Sequence, residues 1–109
     1  MIETSKEQLQ LQELMSKIKD GVSLIDFNAP WCSPCREQQP IVEKLVQSFK
    51  GKATILGLDV DQHPDPAMSM GITSIPTLII FKDGKEIQRF IGKQTEVTLT
   101  QSLQNALDG

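Results

Sequence analysis

Residues 22–35 read VSLIDFNAPWCSPC, and their pattern indicates the fold more clearly than any other segment of the chain. Its apolar first half is typical of a β-strand, in which Val22, Leu24 and Asp26 would share one face. Two cysteines follow, and Pro34 between them suits the first turn of a helix because its missing N–H needs no partner there. The stretch therefore predicts a strand, a tight connection and a helix that begins at the cysteine pair.

The chain after the cysteine pair predicts the rest of that helix and a second strand. One apolar stripe of the helix consists of Ile41, Val42, Leu45, Val46 and Phe49. Pro40 is expected to kink the helix, and Gly51 follows its end. Ala53 to Val60 then reads as a strand. Because a helix joins the two strands, they should be parallel with a right-handed crossover.

The C-terminal part of the chain predicts an antiparallel hairpin and a last helix. Asp83-Gly84 is a two-residue hairpin signal between the strands Thr77 to Lys82 and Glu86 to Ile91. Thr95 is placed to cap a helix with its hydroxyl group. That helix would bury a stripe formed by Leu99, Leu103, Ala106 and Leu107. Together with the first two strands, these elements predict a mixed sheet with helices on both faces.

Two shorter helices complete the predicted elements. Ser5 with Gln8 fits a capping box, and a stripe at helical spacing follows it, made by Leu11, Leu14, Met15 and Ile18. Asp61 to Pro66 reads as a loop that exposes His63 to solvent, and a short helix is expected near Ala67 to Met70. The fold class is therefore α/β, with a central mixed β-sheet of four or five strands flanked by four helices. One domain should span residues 1–109.

Length, composition and charge exclude several classes of protein. The 109 residues, of which 39% are hydrophobic and 23% charged, suit one globular domain and not a disordered chain. A net charge of −3 argues against nucleic acid and against an anionic membrane surface as partners. No apolar run approaches the roughly 20 residues that span a bilayer. Because Met1 to Gln10 lacks the apolar core of a signal peptide, a cytoplasmic location is expected.

The two cysteines of the chain, Cys32 and Cys35, are better suited to chemistry than to stabilisation. A bridge that closes so short a loop restricts the unfolded chain very little. At a helix start, by contrast, the first cysteine meets free N–H groups and the positive end of the helix dipole, which stabilise a thiolate. Cys32 would then attack a target disulfide, and Cys35 would displace the target thiol from the mixed disulfide.

Zinc is the main alternative for a Cys-x-x-Cys pair. A structural zinc site normally needs four ligands, and this chain offers two cysteines and His63, which is distant in sequence. We therefore expect no metal within one chain. A zinc cluster shared between two chains stays open.

Several segments, in order along the chain, resemble the thioredoxin family. Trp31 to Cys35 is similar to the family's Trp-Cys-Gly-Pro-Cys motif, with Ser33 in place of the glycine. Leu24 to Phe27 resembles the strand that carries the family's buried aspartate. The other matching segments are Gly71 to Thr77, which resembles the family's cis-proline segment, Asp83-Gly84 at its hairpin, and Phe90 to Gly92 at its following glycine.

The resemblance implies a thioredoxin fold and a protein-disulfide reductase that carries electrons and maintains cell redox homeostasis. It implies a monomer without a cofactor, reduced by a flavin-dependent thioredoxin reductase and acting on disulfide-containing target proteins. A thiol oxidase or disulfide isomerase of the same fold is the first alternative. A non-catalytic metal-binding or partner-binding module is the second.

The predicted site extends beyond the two cysteines. Asp26 shares its strand face with apolar residues, so burial should raise its pKa and allow it to exchange protons with Cys35 during resolution. The substrate-binding residues are expected to be Trp31, Ser33, Pro34, Ile75, Pro76 and Gly92. The family's usual tryptophan and lysine near the aspartate are replaced by Asn28 and Gly57. These replacements bear on redox potential, proton transfer and partner choice.

Overall fold

A computed structural model describes residues 11–109, which form a four-stranded sheet with helices on both sides. In chain order the elements are α1 (residues 11–18), β1 (Val22–Asn28), α2 (Ser33–Ser48), β2 (Ala53–Asp59), α3 (Pro64–Ser69), β3 (Thr77–Lys82), β4 (Lys85–Ile91) and α4 (Glu96–Asp108). The sheet order is β2-β1-β3-β4, with β1 parallel to β2 and the other two neighbouring pairs antiparallel. The predicted mixed sheet is confirmed.

The central position of β1 explains why its two faces are both apolar. Helices α2 and α4 cover one face, where Val22 and Leu24 pack with Leu45 and Leu99. Helices α1 and α3 cover the other face, where Ile25 and Phe27 lie in a second cluster of buried residues. A strand buried on both faces must carry apolar residues almost continuously. Asp26 is the one charged residue in this strand, and it is buried with the rest.

The chain leaves the sheet at the carboxyl end of β1 and immediately begins α2. Cys32 is the N-cap residue of this helix, and Pro34 stands in its first turn as predicted. The helix continues through Pro40 to Ser48. Strand β1 and helix α2 are therefore the elements that position the cysteines, and β1 also carries Asp26.

The hairpin and the last helix follow their sequence signals. Asp83 and Gly84 have φ angles of 52° and 82°, the left-handed conformation that a two-residue hairpin turn of this kind needs at both positions. The Thr95 side chain accepts a hydrogen bond from the Thr98 N–H, which confirms the predicted cap. These two local signals fix where β3 ends and where β4 and α4 begin.

The short helix α3 begins three residues earlier than predicted. It spans Pro64–Ser69, and His63 is its N-cap residue. Proline suits the first turn of a helix, so the helix begins at Pro64, within the segment predicted to be a loop. His63 precedes the helix as a loop residue, as predicted, but it is half-buried and has an interaction partner, so it is less exposed to solvent than predicted.

Two predictions concern the N-terminal residues. The capping box of Ser5 and Gln8 lies outside the described residues, and because residues 1–10 are not described, the choice between four and five strands stays a prediction. No helix within residues 11–109 is both long enough and apolar enough to span a bilayer.

Candidate active site

The two cysteines lie at the start of α2 and are joined by a disulfide bond. Their Cα atoms are 5.2 Å apart, and the side chains are almost fully buried. The Cys35 N–H donates a hydrogen bond to Cys32 Sγ over 3.2 Å. After reduction, the same N–H and the helix dipole would stabilise a thiolate on Cys32. The predicted position of the pair at a helix start is confirmed.

Trp31 forms the exposed side of the cysteine pair. Its side chain is 67% exposed, so it contributes little to the core. The indole Nε1–H donates to Asp61 Oδ2 over 2.7 Å, and the Asp61 N–H donates to Asp59 Oδ1 over 2.8 Å. This short chain of hydrogen bonds connects the ring to the end of β2 and holds it beside Cys32. Ser33 and Pro34 are exposed next to it.

The segment at the start of β3 approaches Cys32 from another direction. The Ile75–Pro76 peptide bond is cis, and the Ile75 carbonyl oxygen lies 3.9 Å from Cys32 Sγ. The Pro76 carbonyl oxygen accepts a hydrogen bond from the Gly92 N–H over 2.8 Å. Gly92 has a φ of 97°, which favours glycine at this position. The structure therefore brings Ile75, Pro76 and Gly92 to one side of the disulfide.

Asp26 lies on the inner side of the site. Its side chain is 3% exposed, and its Oδ1 is buried without a hydrogen-bond partner in the described part of the chain. Burial raises the pKa of Asp26 from 3.8 to about 6, and the Asn28 side-chain amide opposes this shift. The predicted direction of the pKa shift is confirmed, and its cause is the loss of water around the carboxylate.

Asp26 and Cys35 line the same cleft. The cleft has a volume of about 400 Å³ and lies between the end of β1, strand β2 and one side of α2. Asn28 and Gly57 also line it, and a Cβ atom at Gly57 would lie 3.5 Å from Asn28 Nδ2. Because both groups line one cleft that is large enough for water, a proton can pass between the Asp26 carboxyl group and the Cys35 thiol through water.

The described residues contain no cluster suited to a metal. Between residues 11 and 109, no three side chains of His, Cys, Asp or Glu come together as a possible ligand set.

Sequence reasoning missed the buried Gln38. This side chain is completely buried in α2, and it forms hydrogen bonds with the main chain of Gln94. Its spacing from Val42 and Leu45 was the available signal, because residues four and seven positions apart share a helix face. The exposed Lys93 forms an ion pair with Glu37 at 2.6 Å.

Comparisons with known proteins agree with this geometry. The family model described as Thioredoxin matches residues 3–105. A thioredoxin from Staphylococcus aureus is 45% identical over 92 residues, which are 84% of this chain and 88% of that protein.

Two solved structures share the fold. A mutant thioredoxin from Halobacterium salinarum has a TM-score of 0.81 and 32% identity, and the match covers 88% of this chain and 84% of that one. The oxidised mitochondrial thioredoxin 3 of Saccharomyces cerevisiae has a TM-score of 0.78 and 34% identity, with 87% and 89% covered. With its redox-active cysteine pair at the start of α2, the chain is a protein-disulfide oxidoreductase that belongs to the thioredoxin family.

Proposed function

We propose that the reduced protein donates two electrons to disulfides of other proteins, with Cys32 as nucleophile and Cys35 as resolving thiol. In each cycle one target disulfide becomes two thiols, and the Cys32–Cys35 dithiol becomes a disulfide. The observation that carries the proposal is the N-cap position of Cys32, whose Sγ accepts the Cys35 N–H at 3.2 Å. This contact favours negative charge on the first sulfur and not on the second.

The first step is the attack of the Cys32 thiolate on a target disulfide. A new bond forms between Cys32 Sγ and one target sulfur, while the second target sulfur leaves as a thiolate and takes up a proton. A thiolate, not a thiol, is the attacking species, so stabilisation of this charge increases the reactive fraction near neutral pH. The step leaves the target covalently attached to Cys32.

The second step is the attack of Cys35 on the mixed disulfide. The Cys35 thiol must lose its proton, and Asp26 is the proposed acceptor, directly or through water in the cleft that both residues line. A carboxyl group with a pKa of about 6 is mostly ionised at neutral pH and can accept this proton. The target leaves with its second thiol, and the Cys32–Cys35 disulfide is restored.

Targets are proposed to dock on the exposed side of the disulfide. Trp31 supplies an aromatic surface, and the main chain at Ile75 offers hydrogen-bonding groups to an extended target segment, as in strand addition. Pro76 and Gly92 complete this side through their mutual hydrogen bond. Ser33 and Pro34 would contact the target beside its attacked sulfur.

The proposed cellular role is that of an electron carrier in the cytoplasm. A flavin-dependent thioredoxin reductase would return two electrons to the disulfide, and proteins with accessible disulfides would receive them. The chain would act as a monomer and as one domain over residues 1–109, because every step uses groups of a single cysteine pair and its surroundings. The electrons are held on sulfur, so the cycle needs no bound cofactor.

Redox titration against glutathione tests the direction of the reaction. A potential near about −270 mV, a general reference value for thioredoxins and not a measurement on this chain, would support a reductase. A potential near about −120 mV, typical of a strong thiol oxidase, would overturn the proposal in favour of disulfide formation. The Cys32→Ser variant is the control, because it cannot form the titrating disulfide.

A further inference from the structure

The buried side chain of Gln38 links the helix that carries the cysteines to the loop of residues 92–94. Gln38 is 0% exposed and lies three residues after Cys35, on the same face of α2. Its Nε2–H donates to the Gln94 carbonyl oxygen over 3.0 Å, and its Oε1 accepts from the Gln94 N–H over 2.7 Å. A side-chain amide bonded to both main-chain groups of one residue fixes that residue in position and orientation.

The loop that Gln38 holds is connected in turn to the segment beside Cys32. Gln94 Nε2–H donates to the Gly92 carbonyl oxygen over 3.2 Å, and the Gly92 N–H donates to the Pro76 carbonyl oxygen over 2.8 Å. The neighbouring Ile75 carbonyl oxygen lies 3.9 Å from Cys32 Sγ. These contacts form a closed ring that leaves α2 at Gln38 and returns to the start of α2 at Cys32.

A second link between α2 and the loop is weaker. Lys93 Nζ–H donates to Glu37 Oε1 over 2.6 Å, and both side chains are about half exposed. Exposed ion pairs contribute little to stability and are screened by salt. Loss of Gln38's two bonds instead leaves main-chain groups of half-buried Gln94 without partners. We therefore expect the buried Gln38 amide, and not the ion pair, to hold the loop in position.

We propose that Gln38 is a positioning residue for target docking: it holds Gln94 and thereby fixes the wall formed by Gly92, Pro76 and Ile75 beside Cys32. The inference rests on the proposed docking role of that wall. Both of Gln38's hydrogen bonds within the described residues go to Gln94 and neither goes to a sulfur atom. Its loss should therefore weaken the binding of protein targets and leave the sulfur chemistry intact.

The test compares Gln38→Met with Gln47→Met, a matched change at an exposed position of the same helix. Methionine keeps the length of the side chain and removes both hydrogen bonds. Pre-reduced protein is mixed with increasing insulin concentrations, quenched with acid and alkylated. The dependence of the rate on insulin concentration gives the half-saturation concentration and the maximum rate separately. The reaction with a small aromatic disulfide, which is too short to bind along the whole wall, is measured in parallel. Amide hydrogen exchange at Gln94 shows whether the hydrogen bond between the Gln94 N–H and the side chain of residue 38 is lost.

For Gln38→Met we expect the half-saturation concentration for insulin to rise about threefold to tenfold, the size of one or two lost hydrogen bonds. The maximum rate and the rate with the small disulfide should stay within about twofold. The Gln94 amide should exchange at least about tenfold faster. Gln47→Met should change none of these. The proposal would be overturned if the half-saturation concentration stayed unchanged although the Gln94 amide exchanged faster. It would also be overturned if the rate with the small disulfide fell as much as the rate with insulin.

A third variant separates failure of this inference from failure of the docking proposal. Trp31→Ala removes the other half of the docking surface and leaves Gln38 in place. If Trp31→Ala weakens insulin binding and Gln38→Met does not, the docking surface stands and the role of Gln38 is wrong. If neither variant weakens binding, the docking proposal itself fails, and the inference fails with it.

Gln38→Glu keeps the test decisive if the methionine variant does not fold. Its carboxylate retains an acceptor for the Gln94 N–H and loses the donor to the Gln94 carbonyl oxygen. We expect an intermediate rise in half-saturation concentration and a Gln94 amide that stays protected. A protonated glutamic acid could still donate to the Gln94 carbonyl oxygen, so binding is measured up to about pH 9, where the carboxylate form is favoured. Insulin binding that stays at the wild-type level over this pH range would contradict a role for the donated bond.

Discussion

The disulfide of this protein separates two regions that differ in almost every physical property. On its outer side, Trp31 is two-thirds exposed, the Ile75 carbonyl oxygen lies 3.9 Å from Cys32 Sγ, and Gly92 is hydrogen-bonded to the neighbouring Pro76. On its inner side, Asp26 is almost fully buried and has a pKa raised to about 6. The outer side offers surface and hydrogen-bonding groups to a partner, whereas the inner side offers a proton acceptor that partners do not reach.

This difference shows how one disulfide can serve a reaction with two steps. Attack on a target needs a thiolate that a large partner can approach, and Cys32 faces the outer side. Resolution needs a proton to leave the second thiol while the target is still attached, and Cys35 shares the inner cleft with Asp26. Changes on the outer side should therefore alter binding and attack, and changes on the inner side should alter resolution and stability.

The largest expected effect is that of Cys32→Ser. A serine hydroxyl is not ionised near neutral pH, so the nucleophile of the first step is lost. We expect reduction of insulin to fall to the uncatalysed background, while the fold remains because the bridge closes only a short loop. Turbidity of reduced insulin gives the rate, and a denaturant melt compared with the reduced wild-type protein checks the fold. Retained turnover would show that Cys32 is not the nucleophile of the first step.

The second effect is that of Asp26→Asn on stability, and its sign follows from the pKa. Because the pKa is raised from 3.8 to about 6 by folding, the contribution of Asp26 to stability is fully present below the lower value and is lost as pH rises through the higher one. The variant should therefore gain about 3 kcal/mol near pH 8 and about 1 kcal/mol near pH 4.5. Denaturant melts of the oxidised proteins at both pH values measure the difference.

The exposed Asp20 provides the control for this comparison. Asp20→Asn should change stability by less than about 0.5 kcal/mol at either pH, as is usual for surface substitutions. The same gain for Asp26→Asn at both pH values would mean that the carboxylate is solvated, and the inner side would lose its proton acceptor.

If Asp26 is the acceptor, its replacement should also slow the resolving step about 10-fold to 100-fold, at or below the usual contribution of a general base.

The smallest effect is expected from Ser33→Gly on the outer side. Ser33 is exposed at the first position of α2, where glycine would increase the freedom of the backbone and remove a hydroxyl. We expect insulin reduction to be retained and the redox potential to change by no more than about 30 mV, equivalent to about 1.4 kcal/mol. Titration against glutathione measures the change. Loss of activity would show that the turn between the cysteines is needed for insulin reduction itself and does not only adjust the redox potential.

The elements with local signals were predictable from the sequence. The Asp83-Gly84 turn, the Thr95 cap and Pro34 in the first turn of α2 are each determined by a few adjacent residues. The raised pKa of Asp26 also followed from its place on an apolar strand face. In all these cases the deciding contacts are short-range or follow from a simple periodicity.

The contacts that were missed join distant parts of the chain. Gln38 pairs with main-chain groups 56 residues away, and Trp31 bonds to Asp61 after the second strand. A polar side chain in a helix does not show which partner it meets, because that depends on how α2 and the loop before α4 pack. The start of α3 at Pro64 was missed for a different reason, since the proline was read as part of a loop and not as the first turn of a helix.

The most direct test of the two-sided account is to locate the trapped intermediate. Cys35→Ser and Cys32→Ser variants are each incubated with a disulfide-containing protein target, and the covalent complexes are mapped by peptide mass spectrometry. The account predicts that Cys35→Ser accumulates a mixed disulfide through Cys32, because no thiol remains to resolve it, and that Cys32→Ser accumulates little. A mixed disulfide through Cys35 at equal or higher yield would contradict the assignment of attack to the outer side and resolution to the inner side.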